Sequence, residues 1–392
     1  MPVFDRFRNS ILVRCGALAL LTLLLRILGA SGPYFADSSR HIRAIESGLL
    51  VIHAPGYILF NTTGFFLAHL LHLSAGSALQ VLNITFSVAG SVVFYLLLTR
   101  FPGISSPFWL ALVYVCSPVV WFSGDVHCTY AAAAFFAPLL ILVVEGERRF
   151  VLGCVVWALM TGFRPSDGVF VLPWMVFRSL RFGWRERLTG IAAAVPIVAA
   201  WWIPTVARYG GGWLSPLRYS GEQVQGLAQG VLTGQLALHA LVNAAHAAAG
   251  MIMTWGVLTA AVCLEMAASV RRADARSMTI FLVPGLAFFL LYFVSDAPYF
   301  AFAAAAGMVL AGERLAKWPD GRRRLGYAAA ICASVLFMLC ARTVDGTASK
   351  MRAVADAYFL KYSVPSLREQ RDPRLASLLG ACGDSSVRGI CR

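Results

Sequence analysis

Residues 11–60 read ILVRCGALALLTLLLRILGASGPYFADSSRHIRAIESGLLVIHAPGYILF, and the change of character along this stretch decides the fold. Residues 11–30 form a nearly unbroken apolar run of the roughly 20 residues that an α-helix needs to cross the hydrocarbon core of a bilayer. The run ends at Ala30-Ser31-Gly32-Pro33, a sequence that cannot continue a helix. Polar residues follow over about residues 31–55, with Ile42, Ile45 and Leu49 spaced to share one helical face. This periodicity predicts a short amphipathic helix lying in the membrane interface rather than crossing it. The arginines Arg6 and Arg8 precede the first run and Arg14 stands in its first turn; the run is too long for the apolar region of a typical signal peptide. A retained first helix that starts in the cytoplasm is therefore expected.

The rest of the chain repeats the apolar pattern. Of 392 residues, 59% are hydrophobic and 13% charged, and the mean hydropathy is +0.71. Soluble domains carry about 25% charged residues. Strands of a membrane barrel would alternate apolar and polar positions, which these runs do not. The expected fold class is an all-α polytopic membrane protein, a bundle of about 11–12 helices over residues 1–341 with a short extracytoplasmic tail over residues 342–392. The net charge of +14 would suggest nucleic acid in a soluble protein. Here the basic residues sit in short connections between apolar runs, as the positive-inside rule requires, so no nucleic-acid partner is expected.

The charge bias orients the chain. Arg178, Arg181, Arg185 and Arg187, then Arg271, Arg272 and Arg276, then the loop over residues 314–324 mark the cytoplasmic side. Between them lie crossings at residues 188–207 and 241–268, joined by a long outer loop through Tyr219 and Gln235, and a further pair at 278–294 and 299–312. A last helix over 325–341 leads out. Toward the N-terminus, runs at 79–99, 107–121, 131–144, 150–162 and 168–177 alternate, with Arg100 inside and the turns 124–127 and 164–167 outside. Residues 56–73 are expected to dip into the membrane without crossing; the alternative is that they cross and Arg100 lies outside. Most of the nine cysteines lie inside apolar runs as small hydrophobes, whereas Cys382 and Cys391 sit in the polar tail, where an oxidising exterior would let them pair.

In this topology Asp37, His41, His53, Asp125, His127, Arg164, Asp167 and Asp296 all fall at the outer face. Ionisable groups at membrane depth are costly and mark sites. Each has a plain structural alternative: Asp37 as a helix N-cap, Arg164 as a snorkelling anchor, His53 as the cap of a turn.

Asp37, Gly48-Leu49 and His53-Ala54-Pro55-Gly56-Tyr57-Ile58-Leu59-Phe60 resemble the first outer loop of the bacterial protein O-mannosyltransferase-like family within the GT-C glycosyltransferases, which carries an acid after the first helix and an HPPGYPL-type motif. The turn over residues 124–130, Gly162-Phe163-Arg164-Pro165 and Asp296-Ala297-Pro298-Tyr299 resemble later outer loops of that family. The likeness covers the first half of the chain in residues and the remainder as a hydropathy pattern. Ala54 and Ile58 replace prolines, and Arg40 stands where a second acid is frequent, so no metal ligands are assigned and a divalent metal stays open.

The resemblance implies a GT-C-like bundle and a mannosyltransferase-like enzyme. It would move a sugar, with inversion, from a polyprenyl-phosphate carrier to a hydroxyl of a protein, lipid or glycan acceptor. Asp37 would be the base. Arg164 would meet the carrier phosphate, with Arg26 as a second phosphate contact, and His53, Tyr57, Asp125, His127, Asp167 and Tyr299 would bind substrate or carrier. Membrane lipids would surround a protein of the bacterial inner membrane whose site faces the periplasm. A multi-pass transporter or lipid-carrier flippase is the alternative. It would be expected to show internal repeats and midplane polar groups, and the sequence shows no clear repeat.

Overall fold

The computed structural model describes residues 2–29, 36–51, 56–210, 212–216, 236–269, 273–291 and 297–342. His53, Asp296, Tyr219, Gln235, the tail and Cys382 and Cys391 lie outside them. Among the described residues the structure is helical with no strand. The helices are α1 (Pro2–Gly29), α2 (Ala36–Ser47), α3 (Ile58–Leu70), α4 (Ala75–Leu98), α5 (Pro107–Cys116), α6 (Pro118–Asp125), α7 (Tyr130–Ile141), α8 (Phe150–Phe163), α9 (Pro165–Ser179) and α10 (Trp184–Tyr209). They continue as α11 (Leu236–Trp255), α12 (Thr259–Ala268), α13 (Ala273–Leu291), α14 (Ala301–Leu315) and α15 (Asp320–Arg342).

By length and apolarity, the segments Ser10–Gly29, Ala75–Leu98, Trp184–Tyr209 and Ala247–Ala268 suffice to cross a membrane. Shorter apolar helices such as Ile58–Leu70 and Phe150–Phe163 fill the bundle, in keeping with the short runs of the sequence. Helices α4 and α7 meet at its centre, where Gly90 lies so close to the Ala134 carbonyl that an added Cβ would stand 2.9 Å from it. In lipid, helix association depends on close packing of this kind, because lipid tails are as apolar as the side chains.

Two expected single helices are broken. The run 107–121 splits into α5 and α6, bent by 55° at Ser117. Pro118 has no N–H to donate and its ring crowds the preceding turn, so the break is local chemistry. Carbonyls on both sides of the break are met from α1: Arg26, fully buried, donates from Nη2 to Val115 O at 3.2 Å and Val120 O at 3.3 Å. Arg26 thus ties the two halves of the broken helix together. The run 241–268 is interrupted at Gly256, whose φ of +57° is open to glycine and strained for other residues.

Several charged groups at the end of the bundle that carries the arginine-rich loops are paired within the bundle. Glu145 pairs with Arg178 and accepts from Ser277, which in turn accepts from Trp174 Nε1 at 3.0 Å. Glu265, with no exposed surface, pairs with Lys317 at 3.0 Å. Buried charges survive where they are paired and hydrogen-bonded, so this end reads as a structural lock.

Candidate active site

Arg164 is the link between α8 and α9. Its backbone is extended (φ −150°, ψ 96°) because Pro165 opens α9 and disfavours the helical region for the residue before it. The side chain consequently leaves both helices and enters the bundle. Its guanidinium carbon lies 4.1 Å from the ring centre of Tyr130 and 4.5 Å from that of Tyr299, and the two rings stand 5.6 Å apart. Nε meets Asp167 Oδ1 at 3.1 Å and Ser166 Oγ at 3.3 Å. Only 3% of the Arg164 side chain and 1% of Asp167 is exposed. A snorkelling anchor would keep its guanidinium in water, so that alternative fails for Arg164. The second carboxylate oxygen of Asp167, Oδ2, is buried and has no hydrogen-bond partner among the described residues, the kind of orphan that marks a functional site.

The predicted interfacial helix exists as α2. Ser38, His41, Ala44 and Ile45 are buried on one face, while Arg40, Arg43, Glu46 and Ser47 are exposed on the other. Leu49 departs from expectation, since the helix ends at Ser47 and leaves it exposed. His41 Nδ1 shares a hydrogen bond of 2.7 Å with Asn61 Oδ1, and Asn61 Nδ2 donates to Leu50 O at 2.7 Å. The His41 ring meets Tyr57 and Phe60 edge-on, with centres 5.6 and 5.0 Å apart. This polar and aromatic seam clamps α2 onto α3. Asp37 sits in the first turn of α2, inside the helix, and pairs with Arg40 at 3.0 Å with both side chains partly open.

Tyr57 joins the two halves. Its backbone is left-handed (φ 49°) and that of Gly56 reaches φ +118°, so the end of the loop turns sharply and brings the phenol inward. Burial holds the Tyr57 hydroxyl well above its ordinary pKa. Tyr299, Asp37 and Cys128 act in the same direction, while the Arg164 guanidinium opposes them. Asp37, Arg164 and Tyr299, drawn from three separate stretches of chain, thus all act on Tyr57. Gly56 is required twice over: a Cβ there would be strained by φ and would stand 2.9 Å from Thr205 Cγ2. Gly56→Ala is expected to lower stability by about 1–3 kcal/mol, with a second substitution, Thr205→Ala, recovering the steric part only. Thermal melts of the two single variants and the double variant check this.

Asp125 and His127, expected in an open outer turn, are buried. Gln80 Nε2 donates to Gly124 O at 3.2 Å, and Asn83 Nδ2 to Val126 O and to Cys128 O at 3.0 Å, so α4 pulls the turn inward. The His127 ring rests beside Gly76 and Ile42, and burial lowers its pKa, which leaves it neutral near pH 7. It is Cys128 and Tyr130, further along the turn, that meet the Tyr57 and Arg164 group. The role of Tyr130 was not legible in the sequence. Its signals are its place at the end of the family-like turn over residues 124–130 and an aromatic residue opening a helix directly after a polar turn. Among the described residues no three His, Cys, Asp or Glu side chains gather as a metal site, and no step is assigned to a metal here.

The architecture matches solved structures. Two crystal structures of ArnT from Cupriavidus metallidurans are similar over 94% of this chain and 74% of that chain. The apo state has 15% identity and a TM-score of 0.56, and the form bound to undecaprenyl phosphate has 14% and 0.58. The chain has a GT-C glycosyltransferase fold. A cryo-EM structure of the arabinofuranosyltransferase AftD from Mycobacteria is a more distant likeness, with 18% identity and a TM-score of 0.46 over 86% of this chain and 27% of that one. No protein-family model and no curated protein sequence matches the chain. Within the GT-C fold, the Arg164 group is built from the loop before α3, the turn before α7, the α8–α9 link and the segment before α14.

Proposed function

We propose that this protein transfers a sugar from a polyprenyl-phosphate carrier to an acceptor hydroxyl at the outer face of a bacterial inner membrane. The observation that carries the proposal is the buried Arg164 guanidinium, held over the rings of both Tyr130 and Tyr299 and acting on Tyr57. A planar cation held this way is preorganised, so it costs little to aim it at a phosphate. Nε is engaged by Asp167 and Ser166, and the proposal gives the phosphate to the two Nη nitrogens. The solved ArnT structure with undecaprenyl phosphate supports a carrier of this class, and the first-loop resemblance supports a mannosyltransferase-like donor.

The reaction is a single displacement. The Asp37 carboxylate takes the proton of the acceptor hydroxyl, and the acceptor oxygen attacks the anomeric carbon. The bond from that carbon to the phosphate oxygen breaks, and its electron pair leaves with the polyprenyl phosphate, whose charge Arg164 offsets. Attack opposite the leaving group inverts the anomeric centre. In this reading Asp37, on the amphipathic α2, stands where a lipid phosphate and a water-borne acceptor meet, and His53 and Asp167 are assigned to carrier or substrate, while the buried Asp125 and His127 support the turn that carries Cys128 and Tyr130. The acceptor is a protein, lipid or glycan hydroxyl. Purified protein given polyprenyl-phosphate [¹⁴C]mannose and membrane extract as acceptor should release polyprenyl phosphate and label the acceptor. Label that stays on the carrier with every polyprenyl-phosphate sugar offered would refute the proposal.

A further inference from the structure

Helices α8, α9 and α10 enclose an open groove of about 670 Å³ on the flank of the bundle. Its walls are apolar, with Phe150, Trp157, Met175 and Val198 among them, and its polar lining consists of Ser179 and Arg187. These two mark the end opposite Arg164, because α9 begins next to Arg164 and ends at Ser179, a rise of about 22 Å at ~1.5 Å per residue. Along α10, Leu188, Ile191 and Val195 are exposed, as befits a surface in hydrocarbon. The end with Arg187 bears the marks of a membrane interface. Trp184 is 65% exposed and the Arg185 guanidinium lies 5.6 Å from its ring, an aromatic and cationic pair of the sort that settles at headgroup level. Arg187 Nε donates to Phe182 O at 2.9 Å, and Phe182 stacks on Phe150 at 5.0 Å. This bond anchors Arg187, which lines the groove near the start of α10. Around it, Arg181 and Arg185 outnumber Glu186, while Arg178 is bound to Glu145.

We infer that this groove is a phospholipid site: one acyl chain of an anionic phospholipid lies against α8, α9 and α10, and its phosphate rests on Arg187. The cavity falls within the roughly 300–1,000 Å³ of small-molecule sites. The excess of arginine at its mouth is what selects an anionic headgroup, since basic pockets between helices bind such headgroups. Neither Arg187 nor the groove belongs to the proposed active site, so the site is tested without reference to sugar transfer.

The purified full chain in detergent would be titrated with dioleoyl phosphatidylglycerol, dioleoyl phosphatidylcholine and undecaprenyl phosphate, with bound lipid counted by native mass spectrometry. One phosphatidylglycerol should be retained more tightly than phosphatidylcholine. Arg187→Gln should weaken it about fivefold, the worth of one cation at an anionic lipid surface, Arg187→Lys should recover most of that loss, and Ala199→Phe should block the groove. Equal retention of the two phospholipids, or an unchanged affinity in Arg187→Gln, would overturn the inference. So would displacement of phosphatidylglycerol by equimolar undecaprenyl phosphate, which would give the groove to the carrier chain. If Ala199→Phe does not fold, the two Arg187 variants decide.

Discussion

Asp37→Asn is expected to lower the rate of sugar transfer by about a hundredfold to ten-thousandfold, the range for loss of a positioned base. The substitution keeps size and much of the hydrogen bonding but cannot take a proton at neutral pH. Its effect on stability should be small, because the ion pair it breaks, with Arg40 at 3.0 Å, is partly open to solvent, and such pairs are worth about 0–1 kcal/mol. A large fall in turnover at an unchanged melting temperature would therefore separate catalysis from helix structure. The His41–Asn61 clamp, one turn further on, holds α2 in place in both proteins. Turnover of purified Asp37→Asn within a fewfold of wild type would move the base elsewhere, with Asp125 next in line and then Asp167.

The second large effect is expected at Arg164. Lys at this position keeps the charge but loses the flat group over the Tyr130 and Tyr299 rings and the fork geometry for phosphate. Loss of one preorganised donor in an active site typically costs about 10²–10³ in rate, and Arg164→Lys should fall in that range, with weaker binding of the carrier lipid. Arg164→Ala is the less informative variant. It would leave Asp167 buried without its partner, at a cost of about 3–5 kcal/mol, so lost activity would be confounded with lost structure. Titration of Arg164→Lys with undecaprenyl phosphate, alongside the transfer assay, reads the two effects separately. Wild-type affinity and wild-type turnover together would remove Arg164 from the phosphate site.

Composition and periodicity alone determined the class of this protein, because lipid as a solvent demands long apolar helices and 59% hydrophobic residues leave room for little else. They also placed α2, whose polar and apolar faces alternate at helical spacing, and with the topology they drew attention to Asp37, an acid after a crossing, and Arg164, an arginine beside a proline at the outer face, whereas Tyr57 and Tyr299 came from the resemblance to the GT-C family. The tertiary structure decided what those residues touch. Arg164 gains its meaning from Tyr130 and Tyr299, which are remote in the chain and meet only when the links before α7, α9 and α14 pack together. The break at Ser117–Pro118 could be suspected from the proline, but its repair by Arg26 from α1 could not. The same arginine on a helix face looks identical in sequence whether it reaches water or a stranded carbonyl. Asp125 and His127 read as an outer turn because polar residues between two apolar runs normally face solvent. Gln80 and Asn83 on α4 drew that turn inward instead. Periodicity records which side of a helix is apolar, whereas the partners that satisfy a buried polar group come from other helices, and only the packed bundle assigns them.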